Sequence, residues 1–167
     1  MTSQSSFDVS TGADLQEVDN AVNQARKEIA QRFDFKGTHC VIEFDRAKGV
    51  LALEADDDYR MRALFDVLQA KLVKRNVPLK NVKAGELQVA PGGKVRRTIT
   101  LTQGIAGDTA KAIVKAVKDH GVKKVQVAIQ GEELRVSSPS KDALQDVMQF
   151  LRAQDFGIEL KFGNYRS

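Results

Sequence analysis

At 167 residues, 42% hydrophobic and 29% charged, the chain has the size and composition of a globular protein with room for one domain or two small ones. Residues 1–90 hold 13 Lys+Arg against 14 Asp+Glu, and residues 91–167 hold 13 against 8, so the positive potential belongs to the second half and phosphates are its natural partners. The lone Cys40 excludes an intrachain disulfide, no apolar run reaches the length of a membrane span, and residues 1–6 are polar without a signal-peptide core; a cytoplasmic protein without a membrane partner is expected.

The first predicted element is a strand over 6–10. Thr11-Gly12-Ala13 turns the chain, and Asp14 with Glu17 reads as a capping box for a helix over 15–32. Leu15, Val18, Val22, Ala25 and Ile29 recur at helical spacing on one face. Residues 32–37 end the helix, with Gly37 as breaker. A hairpin follows, with strands over 39–45 and 50–55 and a four-residue turn that ends in Gly49. Asp56, Asp57 and Asp58 suit the positive end of a helix over 59–75, whose buried stripe is Met61, Leu64, Phe65, Leu68 and Leu72. Pro78 forbids continuation. Residues 76–93 are the least regular, with a short strand over 86–89. Pro91-Gly92-Gly93 is the expected boundary between a first module over 1–90 and a second over 94–167.

The second half opens with a basic strand over 94–102 that carries Lys94, Arg96 and Arg97. A helix over 107–120 places Lys111, Lys115 and Lys118 on one face, and Ala110, Ile113, Val114 and Val117 toward a core. Lys123 and Lys124 lead into a hairpin, with strands over 125–129 and 133–137. Ser140 caps a helix over 141–154, and a last strand is expected over 158–162. Eight basic residues between Lys94 and Lys124 form a concentrated cationic stretch. Its alternative reading is a solvated, solubilising face.

Each half reads strand, helix, hairpin, helix, strand. The expected fold class is therefore α+β: two tandem ferredoxin-like (βαββαβ) modules, each an antiparallel sheet with its helices on one face. An open sheet of this kind binds RNA through aromatics on its central strands. The strands over 50–55 and 133–137, expected at the centre, carry none, so a charge-based grip on phosphates is better supported.

Catalytic groups do not gather. His39 and His120 stand apart with no ligand-spaced cluster, and Cys40 in an apolar strand reads as a small buried hydrophobe. Gly92-Gly93-Lys94 is followed by Val95 where a phosphate loop needs Ser or Thr. No cofactor or metal is expected, and no enzymatic activity.

The chain nonetheless resembles one known family from end to end. The residues that carry the resemblance include Ser6-Phe7-Asp8, Leu15-Gln16-Glu17-Val18, Arg32-Phe33-Asp34-Phe35, Lys74-Arg75 and Gln103-Gly104-Ile105. Further on they are Lys111, Ile113-Val114, Lys118, Gln130-Gly131, Leu134-Arg135-Val136, Lys141-Asp142, Leu144-Gln145, Phe162, Asn164 and Arg166. They resemble the YajQ family of bacterial nucleotide-binding proteins. The resemblance implies modules that exchange strands, the strand over 5–10 completing the distal sheet and the strand over 94–102 the proximal one. It also implies nucleotide binding without catalysis, with RNA or GTP for some members. For others it implies a cyclic di-GMP receptor role exercised through a transcriptional regulator.

The expected function is thus a non-enzymatic nucleotide binder, its ligand a nucleotide or cyclic dinucleotide. The candidate residues are Arg97, Lys111, Lys115, Lys118 and Arg135, with Arg32 and Arg166 as outer candidates, each able to hold phosphoryl oxygens. A runner-up is an RNA-binding protein that uses the same cations along a backbone; a third is a protein-interaction adaptor.

Overall fold

The computed structural model describes residues 4–167; the first three residues of the polar stretch 1–6 lie outside them. The described chain falls into two compact units. One, here the terminal unit, joins the N-terminal residues up to Gly12 with Gly104–Ser167; the other, the central unit, is Ala13–Gln103. Among the described residues the fold is α+β, with four α-helices and two antiparallel sheets arranged as ferredoxin-like modules.

The central unit begins with α1 (Leu15–Gln31). The Asp14 carboxylate caps it by accepting from the backbone N–H groups of Gln16 and Glu17. Glu17 reaches Asn20 and Arg75. The hairpin is β2 (Cys40–Asp45) and β3 (Val50–Ala55), followed by α2 (Asp58–Lys74), which Asp57 caps. Two short strands, β4 (Val82–Ala84) and β5 (Gln88–Val89), precede β6 (Val95–Leu101). The sheet order is β2-β3-β6-β4, with β5 also against β6. The chain around Pro91, read as a module boundary, is a short 3-10 turn inside this unit. The core lies between one sheet face and the two helices. Leu51, Leu53 and Ile99 meet Val18, Val22, Leu64, Leu68 and Leu72 there, all fully buried. Each such side chain contributes about 1.5–3 kcal/mol through burial.

The terminal unit takes β1 (Ser5–Ser10) from the start of the chain. It adds α3 (Gly107–His120), β7 (Gln126–Gln130), β8 (Glu133–Ser138), α4 (Lys141–Ala153) and β9 (Lys161–Arg166). Its sheet order is β7-β8-β1-β9. Phe7 and Val9 of β1 and Leu134 and Val136 of β8 are buried against Ile113, Val117, Leu144, Val147 and Leu151 of the helices. β1 therefore sits at the centre of this sheet, and β6 holds the corresponding place in the other.

Two local expectations need correction. The last strand runs over Lys161–Arg166, not 158–162: Ile158 is buried and Leu160 packs on the core, but pairing with β1 starts at Lys161 opposite Ser10. β4 was not anticipated at all. It is three residues long and its pairing with β6 is non-local.

Candidate functional site

The charge map changes once the chain is folded. Sorted by unit, the terminal unit holds ten Lys+Arg against nine Asp+Glu, and the central unit sixteen against thirteen. The basic stretch 94–124 is divided: Lys94, Arg96 and Arg97 belong to the central unit, and the five lysines from Lys111 to Lys124 to the terminal one.

Three of the seven candidate residues share a helix face as expected from their spacing. Lys111, Lys115 and Lys118 are exposed along α3, whose opposite side buries Ala110, Ile113 and Val117. None of the three lysines has an ion-pair partner among the described residues. Beside them lies an apolar groove of about 250 Å³, lined by Val114, Val117, Val122, Val125 and Val127 and edged by Lys118. Lys111 to Lys118 spans seven residues, about 10 Å along the axis.

Arg135 and Arg166 lie in the sheet of the same unit. Arg135 alternates with buried Leu134 and Val136, so it faces away from the helices. There its Nε donates to Asp8 Oδ1 at 3.0 Å. Asp8 also accepts from the Asn164 amide, and its carboxyl is held below the usual carboxylate range, chiefly by the hydrogen bond from Arg135. The Arg135 guanidinium is correspondingly pushed up by Asp8. Arg166, at the end of β9 opposite Ser6, is exposed, and its charge adds a smaller pull on Asp8.

The other two are in the central unit. Arg32 follows α1 and is engaged on both sides, 2.6 Å from Asp34 and 3.3 Å from Glu28, with its guanidinium over the Phe35 ring. Arg97 shares the core side of β6 with Ile99 and Leu101, opposite Leu53. Its guanidinium lies 5.4 Å from the Phe65 ring centroid, and its Nε is buried without a hydrogen-bond partner among the described residues. The spacing of Arg96 and Arg97 gave no sign of which one would turn inward; the alternation with Ile99 and Leu101 was the usable signal.

The open sheet faces offer no stacking platform on their central strands. β1 and β8 present Ser6, Asp8, Ser10, Glu133, Arg135 and Ser137; β3 and β6 present Ala52, Glu54, Arg96, Thr98 and Thr100. The aromatic of β1, Phe7, is buried. Cys40 is half-buried and burial pushes its thiol up, away from nucleophilic use. His120 stacks on Phe150 at 4.0 Å with Asp146 3.3 Å away, a contact between α3 and α4. Among the described residues no group of three or more His, Cys, Asp or Glu is placed to hold a metal ion, and no helix is long and apolar enough to cross a membrane.

A cleft of about 230 Å³ that sequence reasoning missed opens at the other side of the terminal unit. Phe7, Leu144 and Met148 line it together with Tyr165, Lys141 and Arg166. Its residues come from β1, α4 and β9, which are distant in sequence.

Comparison with known proteins gives a consistent result. A family model described as nucleotide-binding protein YajQ-like matches residues 5–166. A nucleotide-binding protein of Koribacter versatilis is 48% identical over 162 residues, covering 97% of each chain. One from Solibacter usitatus is 46% identical with the same coverage, and one from Desulfitobacterium hafniense is 47% identical over 166 residues, covering 99% of this chain and all of that one.

Proposed function

Because the chain belongs to the YajQ-like family of nucleotide-binding proteins, we propose that it binds a nucleotide through the lysine face of α3 and makes or breaks no bond in it. The observation that carries this reading is the set of exposed Lys111, Lys115 and Lys118, without ion-pair partners among the described residues, beside a valine-lined groove. Ammonium groups without carboxylate partners take phosphoryl oxygens without first breaking an ion pair. The groove would receive part of an apolar base face. Arg32 and Arg135 would each have to give up a carboxylate, and Arg97 part of its stacking on Phe65. Arg166 has a separate cleft.

A face about 10 Å long suits two or three phosphates, which favours a compact cyclic dinucleotide such as cyclic di-GMP over a long strand. In this reading the protein is a cytoplasmic receptor that reports the ligand to a transcriptional regulator. The open edge of β7, with Ile129 half exposed, offers the kind of strand edge a protein partner pairs with. RNA is the runner-up ligand on the same lysines, and the central strands, bare of exposed aromatics, weigh against it.

A thermal-shift panel of GTP, ATP, cyclic di-GMP and a short RNA tests the reading. A ligand at 100 times its Kd stabilises the native state by about 2.7 kcal/mol. Saturable stabilisation by cyclic di-GMP supports it. Stabilisation by RNA alone, with affinity falling linearly on a log–log salt plot, replaces it with the RNA reading.

A further inference from the structure

The cleft on β1, α4 and β9 has features that the lysine face does not explain. Its position depends on a β-bulge. Asp8 and Ser6 are two residues apart along β1, whereas their partners Gly163 and Arg166 are three apart along β9. The extra residue sits at Asn164, whose backbone is left-handed (φ 55°), a conformation asparagine tolerates better than most residues. Its side-chain amide donates to Asp8, which Arg135 holds in turn. The bulge turns Tyr165 out of the sheet's regular alternation and onto the helix side. There its ring lies 6.5 Å from Phe7 and its hydroxyl donates to Met148 Sδ at 3.7 Å.

Tyr165 nevertheless stays 61% exposed, so a large part of its ring faces the cleft and solvent. Lys141 and Arg166 stand at the same cleft with exposed side chains; neither side chain makes a hydrogen bond or ion pair among the described residues, and Arg166 exerts only a weak pull on Asp8. Phe7, Leu144 and Met148 supply a buried apolar floor. An apolar floor, an available ring and two cations without a close carboxylate among the described residues are the complement of a flat heterocycle that carries a phosphate. The volume, about 230 Å³, is below the ~300–1,000 Å³ common for whole small ligands, so the heterocycle enters and the phosphate stays at the rim.

We propose that this cleft is a second ligand site of the terminal unit, taking one nucleoside monophosphate moiety with its ring against Tyr165 and its phosphate on Lys141 and Arg166. The ligand class rests on the nucleotide reading above; the location does not. Asn164 and Asp8 act here as positioning residues, through Tyr165.

The chain's three methionines make the test direct. Met148 lines the cleft, and Met61 is buried in the core of the central unit. The full-length protein, labelled at the methionine methyls, is titrated with GMP, guanosine and inorganic phosphate in separate arms. GMP is expected to shift the Met148 methyl saturably and leave Met61 in place, with guanosine and phosphate each binding roughly tenfold or more weakly. Tyr165→Ala and the double variant Lys141→Ala/Arg166→Ala should each weaken the GMP response by about tenfold, with an unchanged Met61 signal as proof of fold. The Lys111→Ala/Lys115→Ala/Lys118→Ala variant should keep the Met148 response in full. A Met148 signal that stays still in GMP overturns the site, even where calorimetry finds lysine-dependent binding. A response lost with the α3 lysines overturns it as well. Phosphate acting as strongly as GMP overturns the nucleoside specificity.

Discussion

Asp8 and Arg135 are 127 residues apart in the chain and face each other across β1 and β8, with Nε 3.0 Å from Oδ1. The pair lies in the sheet face turned from the helices, and it fastens the N-terminal strand to a hairpin from the second half. Asp8→Ala removes an acceptor that serves both Arg135 and Asn164 and should lower stability by about 1–2 kcal/mol, read as a lowered Tm. The pH dependence has a defined sign. A carboxyl held low in the folded state stabilises fully above about pH 5, and that contribution is lost as pH falls through the ordinary value of about 3.9 toward the lowered one. Wild type and Asp8→Asn should therefore differ in Tm at pH 7, and the difference should shrink progressively once the pH falls below about 4. A constant difference over that range would contradict the assignment.

Strand membership predicts how the chain can be cut. The fragment 13–103 contains every strand of the β2-β3-β6-β4 sheet and should melt cooperatively on its own. The fragment 1–90 lacks β6, the central strand against β3, and should show no cooperative transition. Cooperative melting of 1–90 would mean that β6 is dispensable.

Phe7 tests the same claim in the other unit. It is buried at the centre of the terminal sheet, and Phe7→Ala should cost about 3–5 kcal/mol. A loss below 1 kcal/mol, measured by denaturant unfolding, would mean that β1 does not build that core.

Arg97 separates structure from binding. Arg97→Met keeps an unbranched side chain against Phe65 and removes the buried Nε that lacks a partner, so stability should be unchanged or raised. Calorimetry on this variant should give the parent nucleotide affinity; a large loss would put Arg97 in the site.

Cys40 should alkylate slowly. Burial raises its thiol, so at pH 8 the thiolate is scarce and iodoacetamide should label the native protein far more slowly than the denatured one. Equal rates would show an accessible, ordinary thiol.

Much of the fold was legible because it is local. Val18, Val22 and Ala25 give α1 by spacing alone, and the helix over 107–120 falls on α3 as read. Non-local pairing was not legible in local pattern. Nothing near Ser6 or Arg96 says which sheet each strand enters; only the family resemblance implied an exchange. Ile158 and Leu160 alternate like a strand while packing on the core from a segment that precedes the β9 ladder. The lysine face was readable because its residues share one helix. The Tyr165 cleft was not, because its walls come from both ends of the chain and its key device is a one-residue bulge.

Isothermal titration of cyclic di-GMP into the parent and into the Lys111→Ala/Lys115→Ala/Lys118→Ala variant tests the central claim most directly. Alanine keeps α3 helical, so both proteins should melt alike. A loss of affinity of roughly a hundredfold or more in the variant is the expected result, since each charge-assisted contact is worth about 1.5–3 kcal/mol. Parent affinity retained in a folded variant would contradict it.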